Sequence, residues 1–124
     1  MAIVMKYGSE QESNAQGIRF DLLWTNPSPT SSFAAQTVSL NLKPYKYIVV
    51  VARNFAVGDS NFGMLSQLCL KGVENAFMIG AYTNNRVGIR IVTPSDTGVA
   101  FEAAKYNNGT NNNYAVPYYI YGIR

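Results

Sequence analysis

The sequence predicts an all-β protein, an antiparallel β-sandwich of jelly-roll type with eight or nine strands. β-branched and aromatic segments recur about every ten residues and are separated by turns rich in Gly, Pro and Asn. No segment has the apolar spacing of an amphipathic helix longer than two turns. The 124 residues suffice for one hydrophobic core. We therefore divide the chain into an N-terminal arm or edge strand, residues 1–17, and a single sandwich domain, residues 18–124.

The first half of the chain alternates between strand and loop signals. Residues 2–7 form a short apolar segment, and residues 18–24 are the first strand of the domain. Residues 25–32 contain two prolines and several Ser and Thr residues, which favour a structural loop. Residues 36–42 alternate between apolar and polar side chains and predict a half-buried strand. Residues 47–52 are continuously apolar, which predicts a strand buried on both faces.

The second half continues the same rhythm. Residues 62–70 are predicted as a strand, although their apolar spacing also suits a short helix. The turns are expected at 82–86, where two Asn residues tolerate positive φ, at 94–98, and in the Asn-rich loop 106–114. The remaining predicted strands are 76–82, 87–92, 99–104 and 116–123.

The composition argues against an enzyme. The chain has no His, one Cys and seven carboxylates, so histidine catalysis, cysteine-cluster metal sites and an internal disulfide framework are excluded. The carboxylates are far apart in sequence or lie in the polar N-terminal stretch, where a rigid catalytic pair is not expected. Cys69 stands between two leucines and is expected to be a buried apolar group. We expect no catalytic residues, no cofactor and no metal.

Charge and hydropathy limit the partners. The net charge is +3, but the ten basic residues are scattered, so we expect no nucleic-acid partner. No segment approaches 18 consecutive apolar residues, and the first six residues lack the features of a secretory signal. We expect no membrane insertion and synthesis in a cytoplasm.

Two segments resemble a known family. Residues 22–38 read LLWTNPSPTSSFAAQTV, and residues 116–124 read VPYYIYGIR. Both resemble the C-terminal β-module of bacteriophage and prophage tail-fibre, baseplate and head-fibre proteins, whose middle strand is represented here by residues 45–51. The resemblance covers roughly residues 20–124. It implies a non-enzymatic virion protein made in a bacterial host, located in the virion, forming a homotrimer and contacting other virion proteins.

The last strand suggests how such an assembly would form. Tyr119 and Tyr121 alternate with Tyr118, Ile120 and Gly122, so aromatic side chains are expected on both faces of a sheet. One face can belong to the core. Because a large exposed aromatic patch is uncommon on a monomer, the other face is expected to be a subunit interface, around a three-fold axis as the resemblance implies.

The Asn-rich loop is the first candidate ligand site. Amide groups match sugar hydroxyls, and Tyr rings offer stacking surfaces at low entropic cost. The alternative is a solvated hairpin loop, and the same alternatives apply to the 82–86 turn. Trp24 is expected to anchor the edge of the core, with sugar stacking as its alternative role. The candidate ligand residues are Tyr106, Asn107, Asn111, Asn112, Tyr114, Tyr82, Asn84 and Arg86.

Three functions remain open from the sequence. The first is a fibre, tail-tip or baseplate module that also binds a host cell-surface glycan as its receptor. The second is a small capsid decoration or head-fibre protein, with residues 1–17 as its attachment arm. The third is a free-standing, lectin-like carbohydrate-binding module.

Overall fold

Two antiparallel sheets make up the protein. The computed structural model describes residues 17–53, 57–58, 63–81, 87–107 and 109–124, which contain ten strands and no helix. Nothing in these ranges is a helix that could cross a membrane. The predicted strand over residues 2–7, and all of the predicted arm except Gly17, lie outside the described residues.

The strands are numbered along the chain. They are β1 (Phe20–Thr25), β2 (Gln36–Ser39), β3 (Tyr47–Arg53), β4 (Met64–Cys69), β5 (Asn75–Ala81), β6 (Val87–Ser95), β7 (Gly98–Phe101), β8 (Lys105–Tyr106), β9 (Gly109–Thr110) and β10 (Pro117–Ile123).

The strands divide into a four-stranded and a six-stranded sheet. The four-stranded sheet has the order β1-β10-β3-β4, so the C-terminal strand lies between β1 and β3. The six-stranded sheet has the order β2-β7-β6-β8-β9, and β5 pairs with β6. Antiparallel sheets that share one apolar core are the arrangement that the sequence predicted, and the all-β, sandwich-like class is confirmed.

The core is built from the facing sides of both sheets. β-branched residues on alternate positions of β3 and β10 fill it from one side, because side chains in a strand alternate between faces. The six-stranded sheet and the segment after β2 supply the other side. The fully buried aliphatic residues include Leu42, Ile48, Val50, Val92, Val99, Val116 and Ile120.

Several predicted elements differ in detail. The segment 36–42 alternates as predicted, but its ladder ends at Ser39; Leu40 and Leu42 instead donate backbone hydrogen bonds to the 96–97 turn. The helix alternative for residues 62–70 is wrong, since Met64–Cys69 is a strand. The prediction that residues 47–52 are buried on both faces is also wrong. Val49 and Val51 are only half-buried, because no described element covers their side of the sheet.

The turn predicted over residues 94–98 is shorter than expected. β6 continues through Pro94 to Ser95, and Asp96 and Thr97 alone form the turn. The carbonyl of Pro94 accepts a hydrogen bond from the Gly72 N–H, on the side away from β7. The Pro94 nitrogen points to that same side, beyond the end of the β5 ladder at Val92. Proline is therefore tolerated because no ladder hydrogen bond is required of it there.

The Asn-rich loop contains more regular structure than predicted. Two short strands, β8 and β9, pair antiparallel within it, with Lys105 opposite Thr110 and Tyr106 opposite Gly109. Asn107, in the connection between them, has a positive φ of 53°, a conformation that Asn adopts more readily than most residues. These two strands bring the described total to ten, against eight or nine expected.

Candidate functional site

The outward side of the four-stranded sheet is a continuous apolar surface. Its register places Phe20, Ile123 and Tyr47 in one row across the strands, and Leu22, Tyr121, Val49 and Leu68 in the next. Tyr119 and Val51 begin a third row. We call this surface the outer face: Phe20, Leu22, Tyr47, Val49, Val51, Leu68, Tyr119, Tyr121 and Ile123.

Four of the nine side chains of the outer face are exposed, and the other five are partly buried. Phe20, Leu22 and Leu68 are 55%, 54% and 52% exposed, although an aromatic or leucine side chain gains about 1.5–3 kcal/mol from full burial. The Phe20 ring packs edge-on against Tyr121 at 6.5 Å between centroids. The Tyr119 and Tyr121 rings lie 6.2 Å apart. The rings and aliphatic groups of the outer face thus pack against one another, and described residues leave their outward side uncovered.

Local features determine which side chains point outward. On β10, Ile120 and Gly122 point into the core, so Tyr119 and Tyr121 point away from it, as the alternation predicted. The Tyr45 ring lies against Gly122 and occupies the space that a Cβ atom would need. A register shift between Leu22 and Trp24 then turns the indole to the core side.

Trp24 anchors the edge of the core, as predicted. It packs against the core cluster and meets the buried Phe33 ring edge-on at 6.1 Å. The following loop is structural, also as predicted. Asn26 is buried, its side-chain amide donates to the Pro117 carbonyl at 2.8 Å, and its Oδ1 accepts from the Ser28 N–H at 2.8 Å.

A charged cluster lies at the start of β1, on the side of the sheet opposite to the outer face. The Asp21 carboxylate accepts hydrogen bonds from Arg19, from Arg124 and from the Tyr45 hydroxyl at 2.9 Å. The hydrogen bond from Arg19 is the largest cause that lowers the pKa of Asp21 below its usual range, followed by the bond from Tyr45. The cluster ties the beginning of β1 to the end of β10.

The Asn-rich loop is organised around a buried cation. Arg90 is 1% exposed, and its guanidinium donates to the carbonyls of Ala115, Glu102 and Tyr114 at 3.0, 2.8 and 3.0 Å, with a longer bond of 3.4 Å to Asn112. Burial lowers the pKa of Arg90 to about 10, which still leaves it charged at neutral pH. Backbone dipoles compensate its charge, since the described residues place no carboxylate within salt-bridge distance of it.

The structure brings five of the eight predicted ligand residues into this loop. The rings of Tyr106 and Tyr114 stack in parallel, with centroids 4.2 Å apart and planes 3° apart. The Oδ1 atom of Asn112 accepts from the Ala104 N–H at 3.0 Å, and that of Asn111 accepts from the Asn113 N–H at 3.1 Å. The predicted role of these residues in ligand binding stays a prediction.

The other three predicted residues, Tyr82, Asn84 and Arg86, lie outside the described residues. The strand that follows them is described, and Gly88 pairs with Tyr106 in the ladder between β6 and β8. Arg86, the last residue of the 82–86 turn, therefore precedes Gly88 by two residues in the sequence, and Gly88 is the residue that pairs with Tyr106 of the Asn-rich loop.

Arg90 is the organising residue that sequence reasoning missed. The alternation along residues 87–92 was recognised, but the buried row is Gly88, Arg90 and Val92, while Ile89 is 37% exposed. One signal in the sequence could have indicated that Arg90 is buried. By strand alternation it shares its face with Gly88 and Val92, whose smaller side chains leave room for it. Cys69, in contrast, is fully buried as predicted, and burial raises the pKa of its thiol to about 11.

Comparison with known proteins did not identify relatives: no family model, no curated protein and no solved structure matches the chain. Within the described ranges, His, Cys, Asp and Glu residues form no group of three or more that could hold a metal ion.

Proposed function

We propose that this chain is a non-enzymatic structural module of a bacteriophage virion, of fibre, tail-tip or baseplate type, that assembles with copies of itself through the outer face. The outer face carries the proposal. Nine apolar or aromatic residues from the four strands occupy three adjacent rows, and no charged side chain interrupts these rows. A contiguous patch of this kind is typical of an interaction site.

A second copy of the chain is the partner that fits the face best. The face is rich in Tyr and aliphatic groups and free of charge at its centre, which is the composition of homo-oligomer interface cores. The nearby ion pairs of Asp21 with Arg19 and Arg124 place no charge in this face, because the Asp21 carboxylate points to the opposite side of β1. A closed cyclic assembly, of which the trimer is the form that the resemblance implies, would cover the same patch on every copy.

The placement of the two resemblance segments supports the virion part of the proposal. They are separated by most of the chain, yet the first segment begins in β1 and the second contains β10, its neighbour, with Leu22 opposite Tyr121 and Trp24 opposite Ile120. Because paired strands form one structural unit, we expect a protein module that contains one of these segments to contain the other as well. β2 and β7 pair with each other and lie between β1 and β10 in the sequence, which also pair with each other. This nesting leads us to propose a jelly-roll-like winding for these four strands.

Light scattering coupled to size exclusion tests the assembly. We expect the full chain to elute at three times its 13.7 kDa chain mass. Leu22→Lys, on the outer face, should shift the mass to that of a single chain, because an unpaired charge in an apolar interface is strongly unfavourable. Val73→Lys is the matched control: Val73 is 47% exposed but lies in the turn between β4 and β5, so the oligomer should persist.

Two results would overturn the proposal. One is a wild-type chain that remains at 13.7 kDa at every concentration tested. The other is a Leu22→Lys variant that keeps the wild-type mass while folded. The virion assignment is tested separately, by locating the protein in purified particles with an antibody raised against the recombinant chain. Particles free of the protein would contradict it.

A further inference from the structure

The outermost ring of the Asn-rich loop stands on a rigid base. Tyr114 packs against the hydrophobic core, and the Tyr106 ring lies parallel to it at 4.2 Å. Tyr106 is therefore the outer member of the stack. Among described residues Tyr114 supplies its one ring contact, and its side chain is partly exposed. Such a ring offers a flat apolar surface that needs no rearrangement before it binds.

The loop around the ring is held by its oxygen atoms. The carbonyls of Asn112 and Tyr114 accept from Arg90, and the side-chain oxygens of Asn111 and Asn112 accept backbone N–H groups. Neither side-chain Nδ2 atom of these two Asn residues donates to a described residue. The internal bonds thus use the acceptors and leave two amide groups as donors on a fixed backbone.

The charge of the loop indicates a neutral ligand. Residues 105–114 contain no carboxylate, and Lys105 is the one cationic residue among them. The Arg90 guanidinium is buried and already donates to backbone carbonyls, so it is not offered to an anion. Fixed N–H donors beside a flat aromatic face match a pyranose, which presents C–H bonds on its face and hydroxyl oxygens at its rim.

We propose that Tyr106, Asn111 and Asn112 form a binding site for a neutral pyranose sugar. Tyr114 and Arg90 are positioning residues, which hold the Tyr106 ring and the loop backbone in place. The ring of the sugar stacks on Tyr106, and the two amides donate to its hydroxyls. The biological role, receptor contact by a virion module, rests on the proposed function. The site itself does not, because it uses no residue of the outer face.

The test is a titration of the ¹⁵N-labelled full chain, followed by backbone amide chemical shifts. The probes are the methyl β-glycosides of glucose, galactose and N-acetylglucosamine, with adenosine as an aromatic probe that stacks but is not a pyranose. We expect at least one glycoside to shift amides within residues 105–114, with a dissociation constant on the order of 1 mM, as suits a single stacked ring. Tyr106→Phe should bind within about threefold of wild type, and Tyr106→Ala about tenfold more weakly.

A second pair of variants keeps the test valid if Tyr106→Ala does not fold. Asn111→Asp and Asn112→Asp retain the oxygen that accepts the backbone N–H but remove the Nδ2 donor. We expect each to keep the wild-type fold, judged by its amide spectrum, and to weaken sugar binding by about tenfold. Asn41→Ala is the control and should leave sugar binding unchanged. It removes an exposed amide that follows β2, at the opposite edge of the six-stranded sheet from β8 and β9.

Three outcomes would overturn the inference. They are the absence of loop shifts with all three glycosides, binding by adenosine but by no glycoside, and undiminished sugar binding by folded Asn111→Asp and Asn112→Asp variants. Failure of the proposed function would appear elsewhere, as a single-chain mass in light scattering, so the two failures are distinguishable.

Discussion

The outer face and the Asn-rich loop both differ from the usual pattern, in which apolar side chains are buried and polar side chains are exposed. The outer face is apolar and exposed, with Phe20, Leu22 and Leu68 each more than half accessible. The loop is polar, yet its Asn111 and Asn112 are half-buried, and the Arg90 side chain that donates to its carbonyls is 1% exposed. Polar groups around Arg90 therefore stabilise this fold from within, while the apolar residues of the outer face lie on its surface. Each substitution below tests one side of this contrast.

Arg90→Met should have the largest effect. It fills a similar volume but leaves the carbonyls of Glu102, Tyr114 and Ala115 without their donor inside the protein. Because unsatisfied buried polar groups are costly, we expect a loss of about 3–5 kcal/mol in the free energy of unfolding, measured by urea denaturation. Arg90→Lys should recover part of this loss, because an ammonium can donate to some of these carbonyls. A Met variant as stable as wild type would contradict the organising role of Arg90.

Gly122→Ala should have the next largest effect, on the inner side of the sheet that carries the outer face. The new methyl group would overlap the Tyr45 ring, which must then shift away from Asp21. Overpacking of this kind costs about 1–3 kcal/mol, again measured by urea denaturation. Gly122→Ala in a Tyr45→Leu background should be less harmful, because the flat ring is gone. Equal losses in both backgrounds would show that Tyr45 is not the obstacle.

Asp21→Asn should change how stability depends on pH. The folded protein lowers the pKa of Asp21, so its contribution is fully present above the usual carboxyl pKa of about 3.9. That contribution is lost as the pH falls towards the lowered value, because the protonated carboxyl no longer pairs with Arg19 and Arg124. Wild type should therefore lose stability on acidification more steeply than Asp21→Asn, in unfolding curves between about pH 5 and pH 2. Parallel pH profiles would show that the cluster is energetically silent.

Leu68→Thr should have the smallest effect on folding. Leu68 is 52% exposed on the edge strand β4, and Thr retains the preference for β structure. In dilute solution we expect a change within about 0.5 kcal/mol in the free energy of unfolding. The same substitution should raise the concentration at which the oligomer dissociates. A large loss of stability in the isolated chain would place Leu68 in the folding core and break the contrast.

The sequence predicted the strands well where alternation and burial coincide. In residues 36–42 the apolar positions mark the core side, as Val38 and Leu42 show. It failed on β3, where an uninterrupted apolar run predicts burial on both faces. An apolar side chain on the outward face of a sheet has the same composition as one in the core, so Val49 and Val51 could not be told apart from Ile48 and Val50.

The candidate loop was located by composition, but its internal structure was not. The stack of Tyr106 on Tyr114 was not predictable, because the two residues are brought together by the short β8–β9 hairpin. Arg90 was not predictable as the centre of the loop either, since its partners are backbone carbonyls, which leave no trace in residue identity. The predicted extent of β6 failed for a related reason: whether Pro94 ends a strand depends on the neighbouring strand.

The position of β10 in the sheet has a consequence for how the chain folds. β1 and β3 do not pair with each other; both pair with β10, which follows β1 by most of the chain length. During synthesis β3 can pair early with β4, but β1 has no neighbour until β10 has left the ribosome, so the four-stranded sheet closes only after translation reaches β10. Contacts between residues so distant in sequence are slow to form, and folding on a millisecond-to-second scale is the expected result. Until then the rows of Phe20 and Leu22 stay unpaired, which makes chaperone protection most valuable for this part of the nascent protein.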